Sequence, residues 1–236
     1  MEIFLSILIN LAILSLGYFI GSVNFAIIFS KKKEKGDIRN NGSNNAGATN
    51  STRVYGKKFG IIIFVLDFLK ALIPTLTLGL LIYFFEDKIP FLIITQSITL
   101  GVIIGHIWPI FHEFKGGKGV SCSVVLIFSI NILLLIFSVI IFVVMMKWKK
   151  IVSLAVIIVT VFCTPLTFVL MIPQITLSLY KYTYFLNNIN INNAWLIFAS
   201  VASIYIIAAG IVMLAHRSNI VRLINKNENS FIKKTT

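Results

Sequence analysis

The stretch VSCSVVLIFSINILLLIFSVIIFVVMM, residues 120 to 146, decides how often this chain crosses a membrane. It carries no charge. It is longer than the about 20 residues that one helical span needs and too short for two full spans. Five further apolar runs accompany it: Ile3–Phe29, Phe59–Phe85, Phe91–Phe111, Ile151–Leu179 and Ala194–Ala215. Lysine and arginine in the short loops fix which end of each run faces the cytoplasm. The segment from Ser30 to Lys58 holds Lys31, Lys32, Lys33, Lys35, Arg39, Arg53, Lys57 and Lys58 and belongs inside. Glu86–Pro90, with one lysine against two acids, belongs outside, and His112–Gly119 returns inside. If residues 120–146 crossed once, Lys147–Lys150 and the stretch with Arg217, Arg222, Lys226, Lys233 and Lys234 would all face outward, and lysine-poor Tyr180–Asn193 would face inward. One extra crossing repairs all three violations. The sequence therefore predicts a short hairpin, broken near Ser129, Ile130 and Asn131, whose open backbone neighbouring protein must cover.

The expected fold is an all-α integral membrane protein, a bundle of about seven transmembrane helices with the N-terminus outside and the C-terminus cytoplasmic. Residues 1–224 make one transmembrane domain and residues 225–236 a short cytoplasmic tail. The run from Ile3 to Phe29 is too long for a signal-peptide core, and Glu2 stands where such a peptide is basic. With 58% hydrophobic and 12% charged residues, a soluble domain is excluded. A net charge of +13 would suggest nucleic acid in a soluble protein. Here the cations sit in loops between spans, where topology and anionic lipid account for them, so no nucleic-acid partner is expected. Cys122 and Cys163 lie in apolar runs and read as small buried hydrophobes, not a disulfide.

Three polar segments fall on the cytoplasmic side. GDIRNNGSNNAGATNSTRVYG, residues 36 to 56, offers the hydroxyls of Ser43 and Thr49, the amides of Asn45 and Asn50, and the cations Arg39 and Arg53. These are donors for phosphate and for a developing oxyanion. HEFKGGKGVS, residues 112 to 121, places Lys118 among Gly116, Gly117 and Gly119, just before a helix expected at Val120. Glycines can turn N–H groups inward as an anion nest, and a helix N-terminus adds to it. The loop is not a phosphate-binding P-loop, because Gly119 stands where a magnesium-holding Ser or Thr would be. AHRSNIVRL, residues 215 to 223, sets His216 and Asn219 on one helical face, bracketed by Arg217 and Arg222. Taken singly, these segments could be a linker, a basic turn and a lipid-facing helix. Together, on one membrane side, they point to recognition of phosphorylated molecules. No carboxylate cluster or His/Cys set calls for a metal, and no cofactor is expected. Asp67 and Lys70, three residues apart in an apolar run, suit helix packing and function equally, and His106 reads as support for the site. A transporter or channel for a small phosphorylated anion is the alternative. It would place polar groups at mid-membrane depth and often shows internal repeats, neither of which is evident.

GSVNFAIIFS, DIRNNGSNNAGATNSTRVYG, GHIWPIFHEFKGGKGVS and HRSNIVRL together resemble the bacterial acyl-phosphate:glycerol-3-phosphate acyltransferases, over about residues 21 to 224. The pairing of GS-x-N-x-GATN with F-K-G-G-K-G-V carries the specificity. The resemblance implies a seven-helix enzyme of the plasma membrane with its active site on the cytoplasmic face. It implies transfer of a fatty acyl group from acyl phosphate to the 1-hydroxyl of glycerol 3-phosphate. The product is lysophosphatidic acid, in the first step of membrane phospholipid synthesis. Membrane lipid and the soluble enzyme that makes acyl phosphate are the implied partners. Ser43 and Arg53 would act on the phosphorylated substrates, Gly116, Gly117, Lys118 and Gly119 would bind phosphate, and His216 and Asn219 would complete the site. Of a serine-rich third motif, only Ser153 is present. Asn44 replaces a usual glycine, Ala46 a bulkier apolar residue, and the Tyr180–Asn193 loop is longer than is usual. Either His216 or a substrate phosphate oxygen would serve as base, and either Asn219 or backbone N–H groups would hold the oxyanion.

Overall fold

A computed structural model describes residues 1–85, 88–170 and 194–230, and all ordered elements among them are helical. They are α1 (Glu2–Ser22), α2 (Phe25–Ser30), α3 (Ala48–Tyr55), α4 (Lys57–Phe85), α5 (Gln96–Ile107), α6 (Val120–Ile130), α7 (Ile132–Trp148), α8 (Val152–Leu170), α9 (Ala194–Ala215) and α10 (Arg217–Ile224). Four segments are long and apolar enough to cross a membrane: Glu2–Ser30, Lys57–Phe85, Val152–Val169 and Trp195–Ala215. Large apolar side chains such as Ile61, Ile62, Ile73 and Leu81 stand exposed along α4, as a lipid-facing wall requires. The expected Tyr180–Asn193 loop and the end of the Ile151–Leu179 run lie outside the described residues. Cys122 and Cys163 are both buried and unbridged.

The run from 120 to 146 is broken where the sequence placed the break. Asn131 is extended, at φ −161° and ψ 129°, and its side chain accepts from the N–H groups of Leu133 and Leu134 to start α7. Gln96 covers the open backbone by donating to the Ser129 carbonyl at 2.9 Å. The chain then doubles back: Lys118 and Val120 ahead of the break line the same cavity as Phe142 and Met146 beyond it. A straight helix would hold Lys118 and Met146 roughly 40 Å apart at ~1.5 Å per residue.

The third apolar run departs from expectation. Only Gln96–Ile107 is α-helical, 12 residues, or about 18 Å at ~1.5 Å per residue, followed by a 3-10 turn at Ile110–His112. That is too short to span. Nearly all of α5 is buried, so it is a central strut within the bundle, apolar all round because it meets protein all round. The non-helical approach to it is satisfied from α1. Ser6 Oγ accepts from Leu92 N at 3.0 Å, and Asn10 accepts from Ile94 N and donates to the Leu92 carbonyl, each at 2.8 Å. The α1–α5 contact is backbone against backbone. A Cβ on Gly17 or Gly101 would lie 2.1 or 2.0 Å from the carbonyl oxygen of Ile98 or Leu14. Gly21 and Gly105 repeat the contact one turn on, so each helix presents a Gly-x-x-x-Gly face.

Candidate active site

The first loop is built on Asn50, which is buried. Its amide donates to the carbonyls of Ile38, Asn41 and Asn45 and accepts from Ser43 N at 2.8 Å. Asn50 thus shapes the loop that carries Ser43, with its amide engaged by loop backbone. Arg39 is also structural. It pairs with Asp37 at 2.8 Å and donates to the His112 carbonyl at 3.0 Å, tying the first loop to the second. Asn44, in place of the usual glycine, adopts φ 56°, a left-handed conformation that asparagine tolerates.

The second loop packs on α5. Gly116 N donates to the Ile107 carbonyl at 3.1 Å and Gly117 N to the His106 carbonyl at 2.9 Å. These N–H groups are therefore not free for an anion nest, contrary to expectation. The glycines are needed for close approach: a Cβ on Gly116 would fall 2.1 Å from the His106 carbonyl oxygen, and one on Gly117 2.1 Å from His106 Nε2. Gly119 alone of the three has positive φ, 77°, and it caps α6.

These loops and α10 enclose one cavity of about 460 Å³. From the first loop it receives Ser43, Asn45, Thr49, Asn50 and Arg53; from elsewhere come Lys118, Ser153, His216 and Asn219. The side-chain candidates from the sequence line it, except Arg39, Arg217 and Arg222, whereas Gly116, Gly117 and Gly119 stand behind Lys118. Among the described residues, the hydroxyls of Ser43 and Thr49 have no hydrogen-bond partner and are available to a ligand.

Glu228, within the segment expected as a short tail, organises the far wall. Its carboxylate accepts from Arg222 Nε at 2.7 Å, Asn219 Nδ2 at 2.8 Å and Ser153 Oγ at 3.1 Å. Asn219 Oδ1 in turn accepts from Lys118 Nζ. Asn219 is thus engaged at both ends of its amide and orients Lys118, which differs from the free oxyanion donor expected. Ser153 likewise faces Glu228 with its hydroxyl. Arg53 donates to the carbonyls of Asn229 and Ser230 at 3.3 and 3.5 Å, and its Nε is buried with no partner among the described residues.

Burial pushes the Lys118 ammonium down to about 8, with Glu228 opposing the shift. The amine is still mostly charged at neutral pH. Burial also takes His216 down to about 4, so its imidazole is neutral there. His216 Nδ1 lies 2.7 Å from the Val212 carbonyl and must donate to it, which leaves Nε2 with its lone pair. Burial raises the Glu228 carboxyl, but the bonds from Arg222, Asn219 and Ser153 outweigh it and hold the group below its ordinary value.

Asp67 and His106, which the sequence offered only as a packing-or-function pair and as support, also line this wall, and Glu228 is the residue that sequence reasoning missed. Glu228 lies among Asn and Lys residues with nothing local to mark it. A second cavity of about 250 Å³, almost wholly apolar, adjoins the first. The two share Phe64, Val120 and Phe142, and Leu135, Val139 and Val159 line the apolar one.

Residues 11–226 match the family described as Glycerol-3-phosphate acyltransferase. The chain is 42% identical to the glycerol-3-phosphate acyltransferase of Mycoplasmopsis agalactiae, an alignment covering 99% of both chains. It is 33% identical to that of Aquifex aeolicus, over 91% of this chain and 95% of the other. Among solved structures it is similar to PlsY (YgiH), an integral membrane glycerol 3-phosphate acyltransferase, in its glycerol 3-phosphate form. There the TM-score is 0.70 at 31% identity, over 94% of this chain and 96% of that chain. The lysophosphatidic acid form gives 0.67 at 30% identity, over 94% of each.

Proposed function

The chain belongs to the glycerol-3-phosphate acyltransferase family, and from that membership we propose that it transfers a fatty acyl group from acyl phosphate to the 1-hydroxyl of glycerol 3-phosphate. The product is lysophosphatidic acid. The observation that carries this reading is the junction of two cavities. One is lined by cations and hydroxyls from loops far apart in sequence, and the other is apolar and sits among α6, α7, α8 and α9. The first suits phosphates and the second an acyl chain, so a reactive acyl phosphate carbonyl falls near Phe64, Val120 and Phe142.

Acyl phosphate is an activated mixed anhydride, so direct attack by the hydroxyl is sufficient. The protein's task is to bring two anions together. Arg53 and Lys118 offset their repulsion, Ser43 and Thr49 donate to phosphate oxygens, and Asn45 adds amide donors. Positioning of this kind supplies roughly 7–11 kcal/mol of a barrier. His216 presents a neutral Nε2 as one acceptor for the hydroxyl proton. A phosphate oxygen of the substrate is the other.

In this reading the chain crosses the plasma membrane seven times, with the N-terminus outside and the cavity opening to the cytoplasm. Residues 1–224 form one domain and residues 225–236 a cytoplasmic tail that supplies Glu228. The lysine distribution supports that orientation. A soluble enzyme making acyl phosphate would supply the donor.

The test is acylation of labelled glycerol 3-phosphate by the purified protein, with acyl phosphate, acyl-CoA and acyl carrier protein thioester offered separately. Lysophosphatidic acid from acyl phosphate alone is expected. Product from a thioester alone would overturn the donor assignment. Uptake of glycerol 3-phosphate into sealed vesicles without acylation would favour a transporter.

A further inference from the structure

The turn between α5 and Lys118 carries apolar surface that neither cavity uses. Ile110, Phe111 and Phe114 are 44%, 59% and 55% exposed, and Trp108 beside them 38%. Large apolar side chains gathered so closely at the surface call for a partner.

The backbone beneath them is closed on itself. The N–H groups of His112 and Phe114 both donate to the Pro109 carbonyl at 3.0 Å, and Lys115 N donates to the His112 carbonyl at 3.1 Å. Arg39 Nη1 donates to that same His112 carbonyl at 3.0 Å. Tyr18 Oη donates to the Trp108 carbonyl at 3.0 Å, and Ile110 N to Ser22 Oγ at 3.4 Å. A turn in water has no need of such closure, because water serves its polar groups, whereas backbone at the lipid boundary does. Glu113 and Phe114 are left-handed in succession, at φ 58° and 56°. That is uncommon for a side chain as bulky as phenylalanine, and strain of this kind persists where a function needs it.

Tyr18 and Ser22 belong to α1, inside the apolar Glu2–Ser30 segment and ahead of the lysines that follow it. The turn therefore lies beside a lipid-facing helix, on which Leu16 and Phe19 are exposed. Its rim is cationic. Lys31, Lys32, Lys33 and Lys115 are exposed. Burial first, then Arg39 and Lys31, lower the His112 imidazole, which places Lys31 close to the turn. Rings that reach past headgroups, with lysines at headgroup height, complement a leaflet of anionic lipid.

We propose that Ile110, Phe111 and Phe114 form an interfacial anchor inserted into the cytoplasmic leaflet, with Lys31 and Lys115 on the headgroups of anionic lipid. The anchor sets the height of Lys118. Gly116 N and Gly117 N tie the turn to α5, and Lys118 follows directly, so its ammonium is held near the headgroups, where the phosphate of a lipid product must lie. That consequence rests on the acyl-transfer reading above, and the choice of leaflet on the orientation given there; insertion itself rests on neither.

The test places a nitroxide on single cysteines at Phe111, Glu113 and Phe114, in phosphatidylglycerol vesicles. All three side chains are exposed, so the substitutions leave the packing intact, and Cys122 and Cys163 are buried and stay unlabelled. Collision of the label with oxygen, which concentrates in lipid, is compared with collision with a water-soluble nickel chelate. Oxygen should dominate at positions 111 and 114, and nickel at 113, whose side chain is 75% exposed. Nickel dominance at both 111 and 114 overturns the anchor and leaves those rings to a soluble protein partner. In Lys31→Gln/Lys115→Gln, and in phosphatidylcholine alone, the labels should shift toward water; an unchanged depth overturns the part given to the lysines. Impermeant labelling at position 113 reads the leaflet separately, and acylation of glycerol 3-phosphate is not used in the depth measurement. Failure of the orientation or of the acyl-transfer reading is thus distinguishable from failure of the anchor.

Discussion

Lys118 is the residue on which the proposed phosphate site most depends. Its Nζ donates to Asn219 Oδ1, Asn219 is held by Glu228, and the ammonium borders the cavity. Lys118→Ala removes one charge-assisted contact, worth roughly 1.5–3 kcal/mol, so kcat/KM should fall by about tenfold to a hundredfold. The same geometry predicts a pH dependence. Burial lowers the amine to about 8, so the charged form is lost as pH rises through about 8 and kcat/KM should decline with it. Bound phosphate favours the charged form, so kcat should decline at higher pH than kcat/KM. Lys118→Arg keeps its charge throughout, and its kcat/KM should lack that limb. Steady-state acyl transfer from pH 6.5 to 9.5, corrected for spontaneous hydrolysis of the donor, gives both profiles. A flat wild-type kcat/KM across that range, or Lys118→Ala within threefold of wild type, would refute the reasoning.

Gly117→Ala preserves every charge, but its Cβ would meet His106 Nε2 at 2.1 Å; acyl transfer should drop markedly while membrane insertion is normal, and full activity would show the loop to be only a basic turn. Glu228→Gln frees Arg222 and loosens Asn219 and Ser153, so activity should fall about tenfold with a lower detergent melting temperature; an unchanged melting curve and rate would dismiss Glu228 as an organiser. Single cysteines at Asn41, Glu113 and Lys149 should react with an impermeant thiol reagent only from the cytoplasmic side, and outside labelling at position 149 would sink the seven-span orientation.

Charge parity located the break in the 120–146 run because topology depends on a count of cations, which a sequence states outright. That Ser43, Arg53, Lys118 and His216 share one cavity was legible because each lies in a polar segment that joins or follows apolar runs on one membrane side. What was not legible is which polar groups serve the ligand and which serve each other. Asn50, Ser153 and Asn219 carry the right chemistry, yet their atoms are committed to loop backbone, Glu228 and Lys118, and only three-dimensional proximity reveals that. The shortness of α5 was hidden for a related reason. Its flanks are apolar enough to read as helix, and the polar side chains that satisfy their backbone, Ser6 and Asn10, belong to another helix.

The Asn131 break also bears on how the protein is made. With 11 residues, α6 rises about 16 Å at ~1.5 Å per residue, little more than half of the roughly 30 Å of hydrocarbon. A polar turn there, alone in lipid, would leave carbonyls unsatisfied. Gln96, which covers the Ser129 carbonyl, precedes it in the chain by two short helices and the loop between them. The hairpin therefore has no stable resting place in the bilayer until α5 has docked on the glycine face of α1. Assembly acquires a direction, from the N-terminal helices onward, and the lipid-transforming cavity is the last thing to close.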